Sequence, residues 1–344
     1  MTGVPGIDPD RVGIWLTEHV PGLEPPLTFT RIGEGQSNLT FRVDDAAGRR
    51  LVVRRAPLGE ILASAHDVAR EHRILTGLHP TGFPVPRPLG LCEDTGVTGA
   101  QFYAMEHVDG LVPGRVETGE LLAPATRAEL GKRIPATLAQ LHAVDVEAAG
   151  LGDFRRPESL ISRQLRRWRR QWEASKTREL TEIEDVAAWL EARMPEEREV
   201  VLLHGDYHLN NFVVGADGTV KAVLDWELCT VGDPLADVGQ MVAYWNEMRD
   251  RDGFFRQPVA ALEGFPDAGA LGEGYAQASR RDLGGLDYWV VFAYWKIAII
   301  IEGVYRRWLN DPQNGSDAGA LAPAVVRLAA LAQHATVSGA AAGG

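Results

Sequence analysis

The rhythm of apolar and polar positions changes near Gly110. Before it, Leu27–Ile32, Leu39–Val43 and Leu51–Arg55 alternate or cluster apolar side chains over strand lengths, and Gly33, Gly35 and Gly48 punctuate them. This predicts a small antiparallel sheet. Asp8 or Asp10 can cap a short helix to about His19, which Pro21, Pro25 and Pro26 end. His66–Leu78 reads as a helix, Pro84–Pro88 as extended chain and Gln101–Val108 as a further strand.

After Gly110 the helical period dominates. Ala125–Val144, Leu160–Trp172, Ile183–Met194, Pro234–Met248, Ala268–Arg281, Tyr288–Trp308 and Ala320–His334 read as helices. Between them, Val200–Leu203, Phe212–Val214 and Val220–Leu224 are short strands, and Ala216-Asp-Gly218 is a hairpin signal. A sheet-rich first part and a helix-rich remainder predict an α+β protein of two lobes, residues 1–107 and 108–344.

Composition narrows the function classes. The 344 residues carry a net charge of −12, which argues against non-specific nucleic-acid binding. Two cysteines, Cys92 and Cys229, give no disulfide framework, so a reducing cytoplasmic setting is expected. The first residues lack the basic start and apolar core of a signal peptide. The apolar run Trp289–Val304 contains Lys296 and Glu302 and reads as a buried core helix rather than a membrane span.

The chemistry concentrates in His204-Gly-Asp-Tyr-His-Leu-Asn-Asn211 and Leu224-Asp-Trp-Glu227. Asp206 and Asn211 stand five residues apart, close to the interval of a kinase catalytic loop, and Asp225 follows a short hairpin later. Asp206 would accept or orient the proton of an attacking hydroxyl. Asn211 offers a neutral oxygen and Asp225 a hard anionic one, a pairing suited to magnesium. Singly, each would read as a loop cap; together they point to phosphoryl transfer. His204 and His208 also allow a zinc-dependent hydrolase, although no further histidine pair completes a ligand set, and loop bracing is the simpler role. Gly33-Glu-Gly-Gln-Ser-Asn38 alone reads better as an ordinary hairpin turn, and the cation-bearing strand that follows adds weight to a phosphate-covering turn with Gly33, Gly35 and Ser37. No Gly-x-x-x-x-Gly-Lys-Ser/Thr loop occurs, so a P-loop NTPase is not supported.

On His204–Asn211, Leu224–Glu227 and Gly232-Asp-Pro-Leu-Ala-Asp-Val-Gly239, the chain resembles the aminoglycoside phosphotransferase/choline kinase-like superfamily. Within it, the chain is most similar to phosphotransferases related to the kinase-like domain of acyl-CoA dehydrogenase family members 10 and 11. The resemblance implies a bilobal protein kinase-like fold with a small antiparallel-sheet N-lobe and a larger, mainly helical C-lobe. It implies ATP and Mg2+ as cofactors, with GTP an open alternative, and a small-molecule hydroxyl acceptor such as a hydroxyacyl-CoA. It implies Asp206 as catalytic base, Asn211 and Asp225 as metal ligands, and His204, His208, Asp233 and Asp237 as supporting residues.

On the nucleotide side, Arg54 stands where the superfamily has a phosphate-binding lysine, with Glu71 as its helix carboxylate. Glu106 and Val108 match the strand whose backbone meets the nucleobase. Arginine at the lysine position also raises a second reading, a nucleotide-binding pseudoenzyme. Acceptor selectivity is expected near Trp226, Glu227, Trp245, Tyr294, Arg306 and Arg307. The basic run Arg163–Arg170 reads as a solvated helix face.

Overall fold

The computed structural model describes residues 6–32, 38–56, 67–310 and 318–341. The chain divides into two compact units, residues 1–110 with 221–227, and 111–220 with 228–344. The segment Lys221–Glu227, expected in the second lobe, thus belongs to the first unit.

In the first unit, α1 (Pro9–His19) begins where Asp8 accepts the Arg11 N–H at 3.1 Å, with proline at the first helical position. Strands β1 (Thr28–Ile32), β2 (Leu39–Asp44) and β3 (Arg50–Arg55) precede α2 (Val68–Leu78), and β4 (Pro88–Cys92) and β5 (Phe102–Glu106) follow it. They form an antiparallel sheet in the order β1-β2-β3-β5-β4. Strand β4 lies at an edge, where Pro88 is tolerated as the first residue.

The two-residue period of β3 decides what each face carries. Leu51 and Val53 join Phe41, Val43, Phe102, Val12 and Leu16 in one core. Arg55 is buried as well, donating to Gly6 O and to Thr98 O. Arg54 points the other way and stands opposite Tyr103 of β5. The segment Lys221–Glu227 is tied in by Val223 N–H to Pro84 O (2.8 Å) and by the Trp226 ring edge-on to Phe83.

The remaining elements, in chain order, are α3 (Val116–Glu120), α4 (Pro124–Leu141), α5 (Leu160–Ser175), α6 (Thr181–Ala192), β6 (Val201–Leu203), β7 (Phe212–Val214), β8 (Val220–Val223), β9 (Thr230–Gly232), α7 (Leu235–Arg249), α8 (Ala268–Ser279), α9 (Leu286–Asn310) and α10 (Leu321–Ala341). In the second unit β6 pairs antiparallel with β9. The buried α9 packs against α5, α6, α7 and α10. A Cβ at Gly239 would sit 2.6 Å from the Trp289 backbone, so glycine is what lets α7 approach α9 this closely.

The apolar α9 is a core helix of this unit. Its buried Glu302 accepts from Thr177 N and Oγ1 at 2.6 and 2.7 Å. Two arginines of the basic α5 are ion-paired: Arg166 forks onto Glu158 at 2.6 Å, and Arg169 meets Glu191 and Glu184.

Candidate active site

The loop after β6 is held in shape by α7 and α4. Gly205 has φ 80°, and a Cβ there would lie 2.5 Å from Leu228 O, so only glycine fits the turn. Asp237, in the first turn of α7, accepts the N–H groups of His204 (2.7 Å) and Gly205 (2.8 Å) and pairs with His142 Nε2 at 3.3 Å. Tyr207 is buried and donates to Ile134 O on α4 at 2.9 Å. Asp233, just before the Pro234 N-cap, accepts the N–H of Leu235, the first residue of α7, at 2.8 Å.

Asp206 projects from this loop into a ring of donors. Tyr244 OH donates to Oδ1 at 2.7 Å, and Asn211 Nδ2 donates to Oδ2 at 3.1 Å. His208 Nδ1 accepts the Asn210 N–H, which fixes the tautomer, so Nε2 donates to Asp206 Oδ2 at 3.2 Å. His204 Nδ1 accepts the Asp206 N–H at 3.1 Å. Burial pushes the Asp206 carboxyl upward, but His208, Tyr244 and His204 outweigh it and hold the group well below the usual carboxylate range. Both Asn211 amide hydrogens go to Asp206, one to its backbone oxygen at 2.8 Å, so Asn211 Oδ1 is the atom available to a cation. Thus Asp206 and Asn211 are brought together, and both motif histidines brace Asp206.

The first unit holds a second cluster. Arg54 Nη2 lies 2.7 Å from Asp225 Oδ1, and Arg54 Nε lies 2.9 Å from Glu71 Oε2. Glu71 is buried and also accepts from Asn38 Nδ2 (2.7 Å) and Tyr103 OH (3.0 Å). Burial pushes Glu71 up to about 6 against the pull of Arg54. Burial disfavours charge on Arg54, yet Asp225 and Glu71 raise it above the ordinary arginine value. Asp225 has φ 64°, a left-handed conformation that an aspartate adopts at a cost of order 1–3 kcal/mol and that clusters at functional sites.

Carboxylate oxygens of Glu71, Asp225 and Glu227 lie within 4.8 Å of one another. Hard anionic oxygens at this density fit magnesium, so the donor set is compatible with the expected cofactor. Among the described residues this is the cluster with metal-ligand spacing, and neither His204 nor His208 belongs to it.

The other nucleotide-side residues are placed as follows. Glu106 ends β5, and its N–H donates to Arg87 O at 2.9 Å. Val108 is half-buried just beyond the strand. Gly33, Gly35 and Ser37 lie outside the described residues.

Three of the aromatics expected on the acceptor side are buried. Trp226 is buried with its indole N–H on Val223 O. Trp245 is buried with its N–H on Pro266 O, and buried Tyr294 accepts from Asn246. These aromatics fill cores. Glu227 stands with the carboxylates of Glu71 and Asp225.

Sequence reasoning missed two groups at the loop. Tyr244 touches the Asp206 carboxylate directly. Lys296, buried on α9, donates to Gly205 O at 2.9 Å and to Gln240 Oε1 at 3.0 Å. The available signal was a lone cation inside an apolar helical run.

Comparison with known proteins adds a family. Residues 28–278 match the pattern of the phosphotransferase enzyme family. The chain is 34% identical over 308 residues to acyl-CoA dehydrogenase family member 10 of Mus musculus, covering 85% of this chain but 28% of that protein. Among solved structures, a protein of Ralstonia eutropha JMP134 assigned to aminoglycoside phosphotransferases superposes with a TM-score of 0.80 at 29% identity, over 96% of this chain and 98% of that one. The amicoumacin kinase hAmiN, in complex with AMP-PNP, Ca2+ and Ami, shares the fold with a TM-score of 0.61 at 14% identity, over 94% and 93% of the two chains. The fold is therefore protein kinase-like, with an antiparallel sheet in the first unit and a mainly helical second unit.

Proposed function

The chain belongs to the phosphotransferase enzyme family, and from that premise we propose that it moves the γ-phosphoryl group of ATP to a hydroxyl of a small molecule. The observation that carries this reading is Asp206, kept ionised by Tyr244 and His208 on a loop fixed by Asp237. In the proposed reaction the acceptor oxygen forms a bond to the γ-phosphorus, the bond from that phosphorus to the β-γ bridging oxygen breaks, and the acceptor proton passes to Asp206. ADP leaves with the bridging oxygen.

The other roles follow from charge and donor type. Arg54 grips phosphate oxygens and Glu71 orients it. Asn211 Oδ1 and Asp225 are the proposed magnesium ligands, with Glu227 beside Asp225. Magnesium, when bound, would neutralise charge on the phosphate oxygens. Glu106 and Val108 would meet the nucleobase through backbone groups, and Gly33, Gly35 and Ser37 are the residues proposed to cover the phosphates. AMP-PNP and a divalent cation in the amicoumacin kinase complex support the cofactor choice. For the acceptor we propose a hydroxylated metabolite, with hydroxyacyl-CoA as one class, supported by the name of the Mus musculus relative.

The test is a metabolite-library screen for acceptor-dependent ADP formation, read by a phosphoryl mass shift on the acceptor. Activity lost in Asp206→Ala supports the reading. A second reading, nucleotide binding without turnover, draws on the Arg54–Asp225 ion pair, which occupies the carboxylate that magnesium would use. Tight AMP-PNP binding with no ADP formed across the library would favour it.

A further inference from the structure

A small cavity of about 30 Å3 lies beside Gly205 in the second unit. Lys296, Gln240, Gln164, Trp168, Arg167 and Gly205 are among its lining. That volume holds a group of carboxyl size, roughly one or two waters, and is too small for a purine or a sugar. Its apolar wall includes Trp168, whose ring centroid is 5.9 Å from Lys296 Nζ. Lys296 has three N–H donors. Among the described residues two go to Gly205 O and Gln240 Oε1, leaving one for the cavity that it lines. Gln164 Oε1 accepts from Trp168 Nε1 at 2.6 Å, which leaves its amide N–H groups as donors. Asp237 also borders the cavity, but its carboxylate is taken up by His204, Gly205 and His142. The cavity therefore offers donors and positive charge one residue from Asp206.

We propose that this cavity is an acyl-oxygen subsite, in which Lys296, with Gln164 and Gln240 beside it, receives the carboxylate or thioester carbonyl oxygen of the hydroxylated acceptor. The proposal rests on the phosphotransferase reading and names the acceptor's second recognition point. A buried ammonium with low-dielectric walls binds such an oxygen far more strongly than a surface lysine does. Burial pushes Lys296 down to about 8, against the opposing pull of Asp206 and Asp237 and with Arg167 adding to the depression. Occupancy by a carboxylate should accordingly fade as the pH rises through that value.

The test uses 2-, 3- and 4-hydroxybutyrate, their pantetheine thioesters and the matching butanediols, which keep the hydroxyl and lack the acyl oxygen. The expected result is a kcat/KM at least tenfold higher for one acyl form than for its diol. Lys296→Met should collapse that ratio to within about threefold, and Lys296→Arg should restore part of it. A preference for carboxylate or for thioester identifies the source of the oxygen, and either supports the subsite. Equal use of acyl compounds and diols, or a preference that survives Lys296→Met, overturns it. If no compound supports ADP formation and the metabolite library yields none either, the phosphotransferase reading is at fault; in both cases calorimetric binding of the same compounds at pH 7 and pH 9 decides the subsite. Lys296-dependent binding of an acyl compound sustains the proposal, and its absence removes it. Thermal melting of both variants checks that the fold is retained.

Discussion

Arg54 Nη2 lies 2.7 Å from Asp225 Oδ1, so the cation assigned to phosphate already holds the carboxylate assigned to magnesium. The same guanidinium reaches Glu71 through Nε at 2.9 Å. A lysine ammonium is a point charge, whereas the arginine fork spans both partners in fixed geometry. Arginine at this position therefore couples the proposed phosphate and metal sites.

Removing that cation should change the two ligands in opposite directions. In Arg54→Met the carboxylates of Glu71, Asp225 and Glu227 face one another without compensation. Mn2+ binding in the absence of nucleotide is expected to tighten by about tenfold, roughly 1.4 kcal/mol. The KM for nucleotide should rise by at least a similar factor. Electron paramagnetic resonance of free Mn2+ and steady-state kinetics measure the two effects. Weaker Mn2+ binding in the variant would contradict the coupling.

At the loop, Asp206→Asn keeps the shape and removes the carboxylate proposed as the base. A loss of about 10²–10⁴-fold in kcat is expected, with nucleotide affinity little changed. Tyr244→Phe deletes one donor to the same carboxylate, a hydrogen bond to a charged group worth about 1.5–3 kcal/mol. Its kcat should fall by about tenfold or more without loss of nucleotide binding. Full activity in Tyr244→Phe would mean that the hydroxyl merely packs there.

Asp237 is a stability residue with a kinetic consequence. Its buried carboxylate satisfies two backbone N–H groups of the loop and pairs with His142. Asp237→Ala leaves these donors buried and unmatched, at an expected cost of about 3–5 kcal/mol. Urea denaturation measures that cost, and kcat should fall with it because Asp206 is no longer held. A loss below about 1 kcal/mol would mean that the loop holds its shape by other contacts.

Much of this was legible along the chain, for reasons visible in particular residues. Asp8 and Pro9 mark a helix start, and the apolar run of α9 spans a core. The Asp206–Asn211 interval fixed a local geometry because both residues sit on one short loop. What escaped was set by packing. The five-residue α3 is too short to show a period, and Pro84–Pro88 concealed the start of an edge strand. Glu227 was assigned to the acceptor, yet it stands with Asp225 two positions before it. Tyr244 and Lys296 acquire roles only when α7 and α9 are packed around the loop, which neither helix's own pattern reveals.

The buried ammonium on α9 also makes a prediction about the ligand-free fold. Lys296 drops from the ordinary lysine value of 10.5 to about 8, through burial opposed by Asp206 and Asp237. Its folded-state value lies below its unfolded one, so the unfolded chain binds more protons between these two pH values. Stability from this group is therefore lowest below pH 8 and rises toward pH 10.5. At about 1.36 kcal/mol per pH unit, the gain is on the order of 3 kcal/mol. Chemical denaturation of wild type and Lys296→Met at pH 7.5, 9 and 10.5 isolates it as a difference, because the other titrating groups are common to both. The wild type should gain on the variant across this range. A flat difference would mean that the ammonium is solvated in the folded state, with water or an anion already reaching it.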